Sequence, residues 1–475
     1  MTTILTTCVG LAVAGCDGGE SCDKGELEDS ILIDDAADLE RYRGHTSTAR
    51  RVYVDGCEDC IDLRALMCLE STGGSIMIRG NPKLESLDGL QGVTTLGRGI
   101  EIVHNQYLRD LDGLSGVVDP VTRIQIVNNP KLESIEGLGG ITEVTGDLRI
   151  EENVALTSLS GLEGVESVAG ELIVDDNPAL IDLDGLSGIT GEVYDLQICR
   201  NDLLVDMEGL NGITKVQWDA AICVNSSLHE LDGLSSLVEV GRTLAIHSND
   251  SLVHFDGLIS LTLVGGNVTI LNNPQLTSLH GLSGVEKVMK LNILSNGSLD
   301  DLAGLDGLIS VHTLSIWENP MLESLGGLEG LEAILWRIEV VNNDSLVDLD
   351  ALSGVTGPMS EIVIDHNGSL ASLEGLISVT SDVDLLTIYE NEELPDCSVC
   401  NLLEQLAEEP AVIEVHDNAD DECTPVAEGC PDDEPCDGYT GTDECCLNNN
   451  TCEWELNDIC DCDSTCEWDA VDCEW

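Results

Sequence analysis

Residues 148–162 read LRIEENVALTSLSGL and residues 172–186 read LIVDDNPALIDLDGL. Laid over one another at an offset of 24, the two stretches share one framework. An apolar pair precedes an Asn, Leu residues follow it at steps of three, and a Gly-Leu pair closes the run. The apolar pair, Leu148 and Ile150 or Leu172 and Val174, is spaced by two, which is strand periodicity, so both side chains point to the same side. The later Leu residues suit a tight polygonal path and leave no room for a helix of three turns. Gly161 and Gly185 permit a bend with positive φ. A second apolar pair, Val165 and Val168, leads into a turn at Gly170.

The same framework extends in both directions. Asn recurs at 81, 105, 129, 153, 177, 201, 225, 249 and 273, and again at 296, 319, 343, 367 and 391. The interval is 24 residues except for two intervals of 23 after Asn273. A unit this short cannot bury an apolar side alone; stacked on copies of itself it forms a continuous core. The stacked Asn residues then become an internal ladder whose amides satisfy the backbone groups of the turn. The reading is an all-β dominated, right-handed parallel β-solenoid of about sixteen coils.

Its ends are marked by cysteine. Val52-Tyr53-Val54 occupies a strand slot, Cys57 stands 24 residues before Asn81, Cys60 replaces a following Leu, and Cys68 lies close by. Beyond Asn391, Cys397 and Cys400 replace Leu positions, a helix is expected over 398–408, and a strand over 412–415 leads to Asn418 and Cys423. Solenoid ends expose apolar faces and strand edges, and disulfide-stapled caps answer both. The expected organisation is a signal segment at 1–15, a linker and N-terminal strand at 16–50, and a cap coil at 51–74. The solenoid at 75–394 follows, then a C-terminal cap with a short helix at 395–429 and a disulfide-rich tail at 430–475.

Composition agrees with a thin repeat. Aromatic residues make up 3% of the chain and there is one Phe, so Leu, Ile and Val must build the core. Nineteen Lys and Arg face 90 Asp and Glu, a formal charge of −71. Such a surface repels phosphate and anionic lipid, which argues against nucleic-acid binding and polybasic membrane docking. The twenty cysteines point to an oxidising compartment. The apolar run 4–14 followed by Val13-Ala14-Gly15-Cys16 resembles a bacterial lipoprotein signal with its lipobox. That resemblance implies cleavage before Cys16 and its lipidation, hence display at the bacterial cell envelope through a lipid anchor. The segment departs from the pattern in that Met1-Thr2-Thr3 carries no Lys or Arg. No run of some twenty apolar residues occurs, so acyl chains would be the membrane attachment.

The framework Leu-x-Ile-x-x-Asn-x-x-Leu-x-x-Leu-x-Gly-Leu resembles the leucine-rich repeat and, more closely, the receptor L domain. The resemblance spans residues 52–418. It implies extracellular binding of a protein or glycan without catalysis, but it places no ligand-contacting residue in this chain.

Candidate sites come from outward columns. The position two residues before each Asn carries Leu271, Leu294, Trp317 and Val341, an apolar stripe in an acidic protein, with Trp317 as its anchor. Removing Trp317 is expected to abolish partner capture without changing the melting temperature. Cys199 and Cys223 fall in the same column one period apart, within disulfide reach, and His247 and Asp175 flank them. A disulfide or a Cys/Cys/His/Asp metal column are both conceivable. A further column just before the Gly is acidic, at Asp88, Asp112, Glu136, Asp184, Glu208, Asp232 and Asp256. It reads as a solvated edge, or as carboxylates sharing Ca²⁺. No zinc-protease, nucleophile-elbow or phosphate-loop motif occurs. The leading expectation is a non-catalytic recognition or adhesion protein. The rivals are a passive acidic spacer and a polysaccharide-active β-helix enzyme.

Overall fold

The computed structural model describes residues 21–118, 120–380, 383–406 and 410–419. Two compact units divide the chain, Met1–Val168 and Ala169–Trp475. Both are parallel β-solenoids of leucine-rich-repeat type, with six principal strands in the first and eleven in the second among the described residues.

Each coil has three sides. In the second unit the strand Leu196–Cys199 makes one side and the 3-10 turn Glu208–Leu210 the next. The strand Ile213–Val216 makes the third, before the chain re-enters the principal sheet at Ala220–Cys223. Successive principal strands pair in parallel and in register, Leu196 with Ala220 and Ile198 with Ile222. The inward residues of this coil, from Ile198 through Leu204, Met207 and Leu210 to Val216, are fully buried. The spacing of three is the 3-10 turn's own repeat, so successive Leu side chains eclipse and face the same core.

The Asn ladder is continuous within each unit. In the first, the Asn129 backbone N–H donates to Asn153 Oδ1 at 3.1 Å, while its Nδ2 donates to the carbonyls of Ile102 and Val127 at 2.9 and 3.1 Å. In the second, Asn319 donates to Asn343 Oδ1 at 3.1 Å and to the carbonyls of Ile293 and Trp317 at 3.0 and 2.9 Å. Every ladder Asn from 81 to 391 is buried, so these bonds replace water that cannot reach the turn.

Glycine in the Gly-Leu pair has two separate causes. At Gly161 φ is +108°, as the bend requires. At Gly113, where φ is not positive, a Cβ would sit 2.1 Å from the Leu87 carbonyl oxygen of the coil before. The sequence expectation of positive φ thus covers some coils, and close backbone approach accounts for others.

The two 23-residue intervals have a visible result. Principal strands are four residues long from Val52–Asp55 through Leu244–His247, but Lys287–Leu294 and Ser310–Trp317 run for eight and Ala333–Val341 for nine. One residue is missing at the corner, and the Gly found there in other coils, such as Gly241 and Gly265, is missing too. Two sides of the coil therefore fuse into a single strand. At Ala333–Val341 the 24-residue interval returns and the extra residue is absorbed as a bulge in the pairing.

At the N-terminal end, where a linker and a strand are expected over 16–50, more than one strand is present. Residues 25–48 already form a coil, whose strand Ile31–Ile33 pairs with Val52–Asp55. Its α-helix Ala36–Tyr42 is capped by the Asp35 carboxylate, which accepts from the N–H groups of Ala37 and Asp38 at 2.8 and 2.9 Å, and it buries Leu39 and Tyr42. The helix takes the place of the 3-10 turn of later coils and packs against the turn Arg64–Leu66 of the next one. Cys57 takes the ladder slot, its N–H donating to Asn81 Oδ1 at 2.9 Å. Disulfides join Cys57 to Cys60 and Cys22 to Cys68. At the other end lie the helix Asp396–Gln405 and the strand Val412–His416. Asn418 closes the ladder, accepting from the Asn391 N–H at 3.3 Å. Cys397 is disulfide-bonded. The segment 1–15, Cys16, Cys423 and the tail 430–475 lie outside the described residues. No helix among the described residues is long and apolar enough to cross a membrane.

Candidate functional site

Alternation along each principal strand turns two side chains inward and leaves two on the outer face. In the second unit the outer position nearest the ladder forms an unbroken column. His247 pairs with Leu271, Leu271 with Leu294, Leu294 with Trp317, and Trp317 with Val341. The structure therefore brings together Leu271, Leu294, Trp317 and Val341 on adjacent strands. All four are half-buried, since flanking side chains rise beside them. The Trp317 indole Nε1 is shielded and has no hydrogen-bond partner. A shielded donor left unmet costs about 1–3 kcal/mol.

Polar side chains frame the ridge and mostly satisfy one another. On one flank Ser315 donates to Glu339 at 2.7 Å, and Asn292 to Thr269 at 3.2 Å. Arg337 ties Glu339 and Glu361 at 2.5 and 2.8 Å. On the other flank Ser295 donates to Glu318 at 2.8 Å. Acid is thus engaged near the ridge, and the apolar strip is what remains for a partner.

Cys199 and Cys223 form a disulfide with Cα atoms 4.5 Å apart. Neither sulfur is then a thiolate, so the pair offers a metal no such ligand. Asp175, in register with Cys199, pairs with Arg200 and accepts from Gln197 at 3.1 Å. His247, in register with Cys223, is held below the usual imidazole range by burial.

The acidic column stands at the first residue of each 3-10 turn and is exposed from Asp112 to Asp256. Its neighbours two residues earlier have a structural task. Asp110, Asp182 and Asp206 accept from the N–H of Asp112, Asp184 and Glu208 at 3.2, 3.2 and 3.1 Å. Burial raises the carboxyls of Asp110 and Asp182 above the usual range.

Other aromatic residues lie on the corner seven residues before the ladder Asn. Tyr194 stacks on Trp218 with ring centroids 5.7 Å apart, and the Arg242 guanidinium covers Trp218 at 5.3 Å. Trp218 is 44% exposed. His312 and Trp336 pair on the same corner at 5.8 Å. Trp336 thus stands apart from the ridge, five residues along the strand from its column, or roughly 16 Å. A search by period alone would have found these residues, since Tyr194, Trp218 and Arg242 are 24 apart.

No family model matches the chain, and no curated protein matches it. Similar solved structures include an internalin from Listeria monocytogenes, 13% identical over 74% of this chain and 83% of that one, with a TM-score of 0.36. A leucine-rich-repeat protein of Leptospira interrogans is 14% identical over 74% and 91%, with a TM-score of 0.27. TLR13 in its complex with ssRNA13 is 12% identical over 82% and 74%, with a TM-score of 0.24. Overlaps this small leave the fold assignment resting on the coil geometry itself.

Proposed function

We propose that this chain is a non-catalytic recognition protein that binds an extracellular protein or glycan through the outer strand face of its second unit. The observation that supports this reading is the half-buried ridge Leu271, Leu294, Trp317 and Val341, with an unmet indole donor at its centre. Indole rings set in a frame of mutually satisfied polar groups have the character of interface hot spots. Display at a bacterial envelope through a lipid on Cys16 belongs to the same proposal and is checked by metabolic labelling with palmitate.

The binding test compares capture of envelope proteins and glycans by the wild-type chain, Trp317→Ala and Trp317→Phe. A hot-spot Trp is worth about 2 kcal/mol or more, so Trp317→Ala should weaken capture by roughly 30-fold or more. Trp317→Phe keeps an aromatic ring with less apolar surface, and should fall between. Since Trp317 is half-buried, the alanine variant should also unfold about 1 kcal/mol more easily, a refinement of the expectation of an unchanged melting temperature. Equal capture by all three proteins overturns the ridge as the binding surface, and no capture by any of them favours the passive acidic spacer.

A further inference from the structure

Beyond Val341 the outer column turns polar. Val341 pairs with Asp365, Asp365 with Tyr389, and Tyr389 with His416. His366, Glu390 and Asp417 stand beside them, each immediately before a ladder Asn. Asp365 is only 8% exposed although its strand position faces outward. A carboxylate is not shielded to that degree without partners. Its partners are His366 Nδ1 on one side and the Tyr389 hydroxyl on the other.

The other ring nitrogen carries the argument. His366 Nε2 is directed at the Glu390 carboxylate on the next coil. A neutral imidazole has one N–H, and the shielded Asp365 carboxylate draws it to Nδ1. Nε2 then presents its lone pair to a carboxylate, so two electron-pair donors face each other and something positive must lie between them. A proton meets that need, and the two carboxylates do raise the His366 pKa above the usual range. A divalent cation meets it equally well. A carboxylate on the far nitrogen is the outer partner that fixes tautomer and ring angle in metal-bound histidines. One ligand atom from each of Asp365, His366 and Glu390 lies within 4.8 Å of the other two.

We propose that His366 Nε2 and Glu390 bind a borderline divalent cation of the Zn²⁺ type, with Asp365 orienting the imidazole and water completing the shell. An imidazole with a carboxylate suits Zn²⁺ better than the all-oxygen preference of Ca²⁺. Bonds of about 2.0–2.2 Å to each ligand require the Glu390 carboxylate to draw back by roughly 1 Å or more from its present contact. Its side chain is 45% exposed and free to do so. Proton and metal compete for Nε2, so affinity falls on acidification. The groups around the imidazole are Asp365, Glu390 and the edge-on Tyr389 ring, with His416 stacked behind Tyr389 at 4.8 Å. Two protein ligands leave coordination positions open to a partner's carboxylate or hydroxyl groups. The site does not depend on the ridge described above.

The test is calorimetric titration of ZnCl₂ into the metal-stripped, full-length, oxidised chain, with thermal melts in parallel. The proteins compared are the wild type, His366→Gln, Glu390→Gln and His416→Gln. Loss of a ligand should weaken the strongest Zn²⁺ site by about tenfold or more in the first two variants and leave His416→Gln unchanged. The zinc-induced rise in melting temperature should follow the same order, and binding should weaken between about pH 7.5 and pH 5.5. Equal affinity in wild type and a folded His366→Gln would overturn the proposal and leave the proton as the only occupant. Loss in His416→Gln but not in Glu390→Gln would overturn it too.

Discussion

In the first unit the outer strand face mixes uncharged side chains such as Met77, Val103 and Val127 with charges that are matched internally. Glu101, fully buried on an outward position, is held between Arg79 and Arg123 from the coils on either side, and Arg149 reaches Glu151 at 3.5 Å. A polar cavity of about 160 Å³ opens beside Arg123, Gln125 and Arg149. The outer position nearest the ladder reads Arg79, Val103, Val127 and Glu151 in this unit, whereas in the second it carries the Cys199–Cys223 disulfide, then His247, then four apolar residues, then Asp365 and Tyr389. Thirteen of the 19 Lys and Arg occur by residue 149. Beneath both faces the inward Leu and Ile residues and the Asn ladder are the same. The framework that makes the solenoid is thus indifferent to what the outer face carries, so differences there reflect the work of each region rather than the needs of folding.

That contrast can be broken most forcefully at the ladder. Asn105→Ala and Asn319→Ala each remove several buried hydrogen bonds and strand backbone carbonyls, so each should cost about 3–5 kcal/mol in denaturant unfolding. Because the ladder is the common part, the two costs should agree within about 1 kcal/mol; a larger gap would mean that the two frameworks are not equivalent.

A smaller effect separates the faces. Glu101→Gln removes the charge that two arginines share, and should cost about 1–2 kcal/mol because both guanidinium groups remain partly solvated. Ser315→Ala beside the ridge should cost less than about 1 kcal/mol, since Glu339 keeps Arg337 as a partner.

The smallest effect is in the near-neutral pH profile of stability, to which His247 and His366 of the second unit contribute. His247 has a lowered pKa, so its contribution is complete above the unfolded imidazole value and is lost as pH falls towards the folded one. His366 has a raised pKa, so its contribution is complete below the unfolded value and is lost as pH rises through the folded one. His247→Gln should flatten the acid side of the melting profile and His366→Gln the near-neutral side. An unchanged profile in both variants would remove the histidines from the comparison.

Much of this architecture could be read from the chain alone. The Asn interval places every ladder residue from Asn81 to Asn391, and Cys57 is recognisable as the ladder's substitute because it keeps the phase. Less legible were features outside the phase. The coil at 25–48 carries a helix where later coils carry a 3-10 turn, so its residues do not match the template, and Cys22 could not be paired with Cys68 by counting. The apolar ridge was legible because it shares the period, yet its half-buried state depends on the height of neighbours such as Arg337 and Glu339. The His366 and Glu390 contact is not legible in the column two residues before each Asn, because these residues stand one place later.

That later place has a bearing of its own. The residue before each ladder Asn adopts a left-handed backbone, and in fourteen cases it is not glycine, with φ between 53° and 59°. Gly56 and Gly80 fill the same place in the first coils, with φ of 67° and 62°. A Cβ in that conformation costs roughly 1 kcal/mol, and more for a β-branched residue such as Val224. Folding alone would set glycine in this row throughout. Apart from Arg200 and His366, which partner the shielded Asp175 and Asp365, a row of side chains kept at a standing thermodynamic loss marks out a strip of surface where residues can be trimmed to glycine one at a time, leaving the scaffold as firm as before or firmer.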